Sequence, residues 1–182
     1  MKIFDLGVFG AKVVEPRVFS DGRGCFFETW RENEFRRRVY DCSLVQDNHS
    51  TSARGVLRGL HYQIRHPQGK LIRAVRGEIY DVAVDMRRSS PTFGVSAGVV
   101  LSSENRRMLW IPPWCAHGFL VMSPDADVVY RCSDYYDPAS ERSVRWNDPA
   151  LGIRWPLPEG AQPELSAKDE AAPDLSAAEC YD

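Results

Sequence analysis

Positive charge is not in excess in this chain: 23 Lys and Arg stand against 25 Asp and Glu, a formal charge of −2. A polyanion such as DNA or an anionic membrane surface therefore has no general electrostatic hold on it, although a local basic patch is compatible with the total. No eighteen apolar residues run together, which argues against a membrane-spanning helix. The start, Met1-Lys2-Ile3-Phe4-Asp5-Leu6-Gly7, lacks the apolar core and cleavage site of a secretion signal, and the expected location is the cytoplasm. Cysteines are few: positions 25, 42, 115, 132 and 180 form no C-x-x-C pair, and five leave at least one unpaired in any disulfide scheme. Reduced thiols are the simpler reading, with Cys115 a small buried apolar residue. A chain of 182 residues can bury a core without such staples, and a single domain over residues 1–182 is expected.

What is present is a succession of short strand-like runs. Apolar, β-branched and aromatic residues cluster at 12–19, 24–30, 56–63, 70–76, 78–86, 94–101, 108–111, 117–122 and 126–132, bounded by Gly, Pro, Asn, Asp and Ser. That spacing predicts an all-β sandwich or barrel with its core over about residues 12–146. Thr29 followed by Glu32 resembles a capping box and predicts a short helix to Arg38, with Arg36, Arg37 and Arg38 on a solvated face. From 147 to 182 the chain is rich in Pro and Ala, which disfavours strands and predicts a segment wrapping the barrel. No internal repeat or interdomain linker is evident.

Alternation assigns some side chains to faces. Along 126–132, Ala126, Val128, Tyr130 and Cys132 share one side while Asp127 and Arg131 share the other, so Tyr130 points inward and its hydroxyl needs a partner or a substrate. Along 57–64, Leu57, Gly59, His61 and Gln63 oppose Arg58, Leu60, Tyr62 and Ile64. The pattern does not say which of those faces is inside.

Polar groups concentrate in Gln46-Asp47-Asn48-His49-Ser50, Arg58-Gly59-Leu60-His61-Tyr62-Gln63 and Gln68-Gly69-Lys70. They line a cavity, or they are loop and solvent-face residues; spacing alone leaves both open. A metal site in a small barrel wants two histidines one residue apart, but Gln63 follows His61 at that spacing and Lys70 would repel a cation. No metal is therefore expected. Proton transfer suits the same groups better: a neutral histidine takes a proton, a tyrosine gives one, and a lysine or second histidine stabilises negative charge between them. For a carbon acid roughly ten pKa units weaker than imidazolium, the bare transfer costs on the order of 14 kcal/mol, so enolate stabilisation is obligatory. Lys70 is suited to it.

Beyond these groups the chain carries Gly24-Cys25-Phe26-Phe27-Glu28, Gln46-Asp47-Asn48-His49-Ser50, Leu57-Arg58-Gly59-Leu60-His61-Tyr62-Gln63, Gln68-Gly69-Lys70, Gly77-Glu78-Ile79-Tyr80-Asp81-Val82-Ala83-Val84-Asp85, Ser90-Pro91-Thr92-Phe93-Gly94, Leu109-Trp110-Ile111-Pro112, Ala116-His117-Gly118-Phe119, Trp146-Asn147-Asp148 and Leu165-Ser166-Ala167-Lys168-Asp169. In these segments and their order it resembles the dTDP-4-dehydrorhamnose 3,5-epimerases across nearly its whole length. The resemblance implies a cupin-type jelly roll with a few short helices, a homodimer exchanging N-terminal strand segments, a dTDP-linked 4-keto-6-deoxy sugar as substrate, and no cofactor. It implies His61 as base oriented by Asp169, Tyr130 as acid, and Lys70 with Arg58 and His117 on the 4-keto oxygen. Arg23 and Glu28 would contact the nucleotide, and Gln46 and Asn48 the nucleotide or its phosphates. Trp114-Cys115 stands where the family often has Gly-Phe, which predicts a differently shaped loop before His117.

Three other readings use the same residues. A single-site epimerase could keep His61, Lys70 and Tyr130, with sugar pose deciding which carbon reacts. A keto-relocating isomerase shares the barrel, but Tyr130 opposite His61 favours inversion. A non-catalytic sugar-nucleotide binding module would tolerate loss of His61 or Tyr130, yet both are present.

Overall fold

The computed structural model describes residues 1–182. Its strands are β1 (Lys2–Asp5), β2 (Lys12–Glu15), β3 (Val18–Asp21), β4 (Gly24–Phe27), β5 (Gln46–Ala53), β6 (Leu57–Gln63), β7 (Lys70–Arg76), β8 (Glu78–Asp85), β9 (Ser96–Ser102), β10 (Met108–Ile111), β11 (Cys115–Val121), β12 (Asp125–Cys132) and β13 (Glu141–Ser143). Two short helices accompany them, α1 (Glu32–Arg38) and α2 (Ala167–Glu170). None is long and apolar enough to cross a membrane. The strands form a six-stranded sheet, β1-β2-β10-β7-β12-β5, a five-stranded sheet, β13-β6-β11-β8-β9, and a separate hairpin, β3-β4. From β5 to β8 each strand lies in the opposite sheet to its predecessor, and the same holds from β9 to β12. The resulting orders, β10-β7-β12-β5 facing β6-β11-β8-β9, are the double Greek key of a jelly roll.

Inward positions of both sheets fill the sandwich: Ile72, Leu109, Ile111 and Val128 from one side, Ile79, Ala83, Leu101 and Phe119 from the other. A second core lies outside the five-stranded sheet, where Leu60, Tyr62, Val82, Val84 and Ala116 pack beneath Val144, Leu151 and Ala178. The C-terminal segment therefore covers this sheet, and β11 is buried along its whole length. Backbone bridges from Val56 to Glu164 and from Arg87 to Tyr181 fasten the segment down, and the Tyr181 hydroxyl donates to the Gln63 carbonyl at 2.6 Å. The outer face of the six-stranded sheet is partly covered by α1, whose Phe35 meets fully buried Trp110 edge-on at 5.0 Å.

Local departures from the sequence reading have physical causes. The run at 12–19 divides into β2 and β3 at Pro16, which cannot donate to a ladder. The capping box does not form: α1 begins at Glu32 after an extended Arg31, with no side-chain cap, so Thr29 lies too far upstream to bond the helix. Glu32 and Glu34 in the first turn and Arg36, Arg37 and Arg38 in the last suit the helix dipole instead. Cys115 opens β11, and Trp114 lies beneath the Arg87 guanidinium, 4.4 Å from its ring centre.

Candidate active site

A cleft of about 440 Å³ is lined by residues of both large sheets. The five-stranded sheet contributes His61 from β6 and His117 from β11, which are ladder partners. The six-stranded sheet contributes Lys70 from β7, Tyr130 from β12 and Ser50 from β5, and α2 closes the rim with Lys168 and Asp169. Strict alternation would put Arg58 on the far side of β6 from His61. The β6-β11 register slips between His117 and Phe119, and Arg58 joins the same cleft, its Nε donating to Ser52 Oγ at 3.0 Å.

His61 Nε2 lies 2.5 Å from Asp169 Oδ1, whose side chain is 3% exposed. Burial pushes the Asp169 carboxyl up, but its hydrogen bond to His61, that ring's charge, Ser166 and Lys168 together bring it below the usual value. An ionised carboxylate only accepts, so Nε2 carries the proton and Nδ1 is the basic nitrogen. His117 Nε2 is 2.7 Å from the fully buried Asp81. Burial lowers the His117 pKa against the pull of Asp81, helped by Lys70 and His61, so this ring is neutral near pH 7.

Burial also lowers the Lys70 ammonium, and the groups that raise it again, Cys132, Asp81 and Glu141, act through space without a hydrogen bond. Its donors remain available to a ligand. Tyr130 is half-buried beside His117, ring centres 6.5 Å apart. Burial raises its phenol, with Arg58 opposing, so it stays protonated as an acid must. His61 and Tyr130 belong to opposite sheets and line the same cleft.

Gln46 and Asn48 occupy alternate, inward-facing positions of β5, Asn48 directly opposite Tyr130. They do not line the cleft themselves but share the face of β5 that carries Ser50 into it, and they are joined by a 3.1 Å hydrogen bond. Arg23 and Glu28 are not brought there. Arg23 sits at the β3-β4 turn, paired with Asp21, and Glu28 pairs with Arg31 at 2.6 Å in a separate hollow of about 330 Å³. Sequence reasoning assigned no role to five nearby residues. Ser50 Oγ is buried without a partner, Asp81 supports His117, and at the cleft rim Glu141 receives Lys168 at 2.9 Å and Tyr136 at 3.1 Å. Ser50 is hidden in a strand that is polar on both faces, and Asp81 in an apolar run.

The chain matches the family model for dTDP-4-dehydrorhamnose 3,5-epimerase over residues 5–177. It is 53% identical over 179 residues to the Neisseria gonorrhoeae dTDP-4-dehydrorhamnose 3,5-epimerase, covering 98% of this chain and 54% of that one, so it spans about half that relative's length. Against the Pseudomonas aeruginosa protein of the same name the figures are 51% over 182 residues, 100% and 99%. The crystal structure of a dTDP-6-deoxy-D-glucose-3,5-epimerase from Legionella pneumophila, in complex with dTDP-4-keto-L-rhamnose, matches with a TM-score of 0.93 at 47% identity, over 97% of this chain and 93% of that one.

Proposed function

This chain belongs to the dTDP-4-dehydrorhamnose 3,5-epimerase family, and from that premise we propose that it converts dTDP-4-dehydro-6-deoxy-D-glucose to dTDP-4-dehydro-L-rhamnose by inverting C3 and C5. The observation that carries the reading is the pair of opposed groups in one cleft: a carboxylate-backed histidine on one sheet and a protonated tyrosine on the other. His61 Nδ1 takes the proton on the carbon beside the 4-keto group, and the electron pair moves onto O4. The imidazolium formed is stabilised by Asp169 across 2.5 Å. Lys70 and Arg58 donate to the enolate oxygen, with the neutral His117 ring beside them in the cleft, and Tyr130 returns a proton from the opposite side. Each inversion leaves His61 as imidazolium and Tyr130 as phenolate; His61 then loses a proton to water and Tyr130 gains one, which closes the balance with no oxidant or reductant. Preorganised donors of this kind contribute about 3–4 kcal/mol each to transition-state stabilisation.

The dTDP moiety lies toward Gln46 and Asn48, and Arg23 and Glu28 reach it from a second copy of the chain. The β3-β4 hairpin pairs with neither large sheet and exposes Phe19 (50%) and Phe26 (71%). A homodimer exchanging N-terminal segments would cover those rings and carry both residues to the partner's cleft. Incubation with dTDP-4-keto-6-deoxyglucose in deuterated water, read by NMR, tests the reading. Deuterium at both C3 and C5 supports it, label at one carbon alone favours a single-site epimerase, and absence of label with binding intact overturns it.

A further inference from the structure

The Trp146-Asn147-Asp148 segment has no place in the chemistry above, yet Asp148 is buried, 7% exposed. One of its carboxylate oxygens accepts from Ala150 N at 2.8 Å, capping the turn that follows it. The other accepts from Leu175 N at 2.6 Å, twenty-seven residues away. Two neighbouring contacts join the same stretches of chain: Arg145 N donates to the Pro173 carbonyl at 2.8 Å, and Arg145 pairs with Asp174 at 3.2 Å.

Both stretches lead to the base. Arg145 and Asp148 follow β13, whose Ser143 is the ladder neighbour of His61, and Val144 exchanges backbone hydrogen bonds with Leu60. Leu175 follows α2, the four-residue helix that presents Asp169 to His61. On its upstream side α2 is held by the Glu164 backbone against Gly55 and Leu57 and by the Ser166 cap. A helix of one turn has little stability of its own, so its position depends on these two anchors. We infer that Asp148 is a positioning residue: its carboxylate fixes residues 173–175 to the β13 side of the sheet and thereby holds Asp169 in register with His61. This rests on the functional reading above, because the register matters only if the His61–Asp169 pair does chemistry.

Asp148→Asn replaces one acceptor with an amide donor, which cannot satisfy Ala150 N–H and Leu175 N–H together. The full-length variant is made alone and combined with Asp169→Asn, and assayed for epimerisation of dTDP-4-keto-6-deoxyglucose. Alone it is expected to lower kcat by roughly 10- to 100-fold, as small misplacements of a catalytic group do, with KM nearly unchanged. The downfield proton resonance of the His61 imidazole bonded to Asp169 should be lost or shifted. In the Asp169→Asn background it should cause almost no additional loss, because both changes break the same unit. An unchanged kcat with the resonance retained, or a full additional loss in the double variant, would overturn the inference. Should Asp148→Asn fail to fold, Asp148→Glu keeps both acceptors at the wrong reach and is held to the same two criteria. An inactive wild-type protein, or a fully active Asp169→Asn, would count instead against the functional reading.

Discussion

Replacing Asp169 with asparagine keeps its shape while removing the charge behind His61, the proposed base. The carboxylate is 3% exposed and 2.5 Å from His61 Nε2, so neither salt nor solvent compensates for its loss. A hydrogen bond between charged groups contributes about 1.5–3 kcal/mol, which at about 1.36 kcal/mol per decade is a 10- to 150-fold fall in kcat. The amide can also turn its NH₂ toward His61, which selects the tautomer protonated at Nδ1 and leaves no base there. In a serine protease the same substitution costs about 10⁴ in kcat through the wrong tautomer. Asp169→Asn is accordingly expected to reduce kcat by about 10² to 10⁴ with a small change in KM.

The variant also carries a stability signature. Asp169 is held below the ordinary carboxyl value in the folded chain, so its contribution is present above the unfolded pKa near 3.9 and disappears as pH falls from there through the folded pKa. Thermal melts of wild type and variant should differ at neutral pH and converge below about pH 4. Initial rates of deuterium incorporation at C3 and C5 give the kinetic half of the test. A variant with kcat within about threefold of wild type and a pH-independent gap in Tm would refute the assignment of Asp169 as the charge behind His61.

Tyr130→Phe should retain part of the C–H exchange catalysed by His61 but lose inversion by about 10²- to 10⁴-fold, seen as label without L-configured product. Lys70 is lowered by burial, so an alkaline fall in kcat should occur below the ordinary lysine value of about 10.4, and Lys70→Met should abolish that limb while reducing kcat about 10²- to 10³-fold. Gly59 has φ +131°, and a Cβ there would meet the Gly118 backbone and lie 2.8 Å from the His117 carbonyl oxygen. Gly59→Ala should therefore destabilise the fold by about 2 kcal/mol or more, read as a lower urea midpoint.

The sequence exposed those features that depend on hydrophobic alternation. Ala126, Val128 and Cys132 are buried, and Tyr130 on the same face reaches the cleft as that pattern requires. The same logic could not orient His61, because β6 is packed on both sides, against the cleft at His61 and beneath the C-terminal segment at Leu60 and Tyr62. It missed β5 entirely. Gln46, Asn48, Ser50 and Ser52 face inward while Asp47, His49, Thr51 and Ala53 are exposed, so a strand lining a wet cleft is polar on both faces and has no hydrophobic period. Asp169 was beyond local reasoning, since it is 108 residues from His61 and sits on a single helical turn. Only the resemblance pointed to it.

In the proposed mechanism one base and one acid serve both inversions because of how the sheets are arranged. In a 4-keto sugar of gluco configuration the hydrogens on C3 and C5 are both axial on the same face of the ring, and both carbons flank the carbonyl. A base on the five-stranded sheet therefore faces both hydrogens, and an acid on the six-stranded sheet faces the opposite side of both carbons. Lys70 and Tyr130 share that second sheet, on adjacent strands β7 and β12, so negative charge arises on O4 near the lysine while the proton donor stands beside it. Burial keeps Tyr130 protonated as the acid, and Asp169 is held ionised behind His61. Between the two steps His61 gives its proton to water and Tyr130 regains one, so the same pair serves the second carbon. Loss of His61 should therefore abolish exchange at C3 and C5 together, whereas residual exchange at one carbon alone in His61→Ala would require a second base.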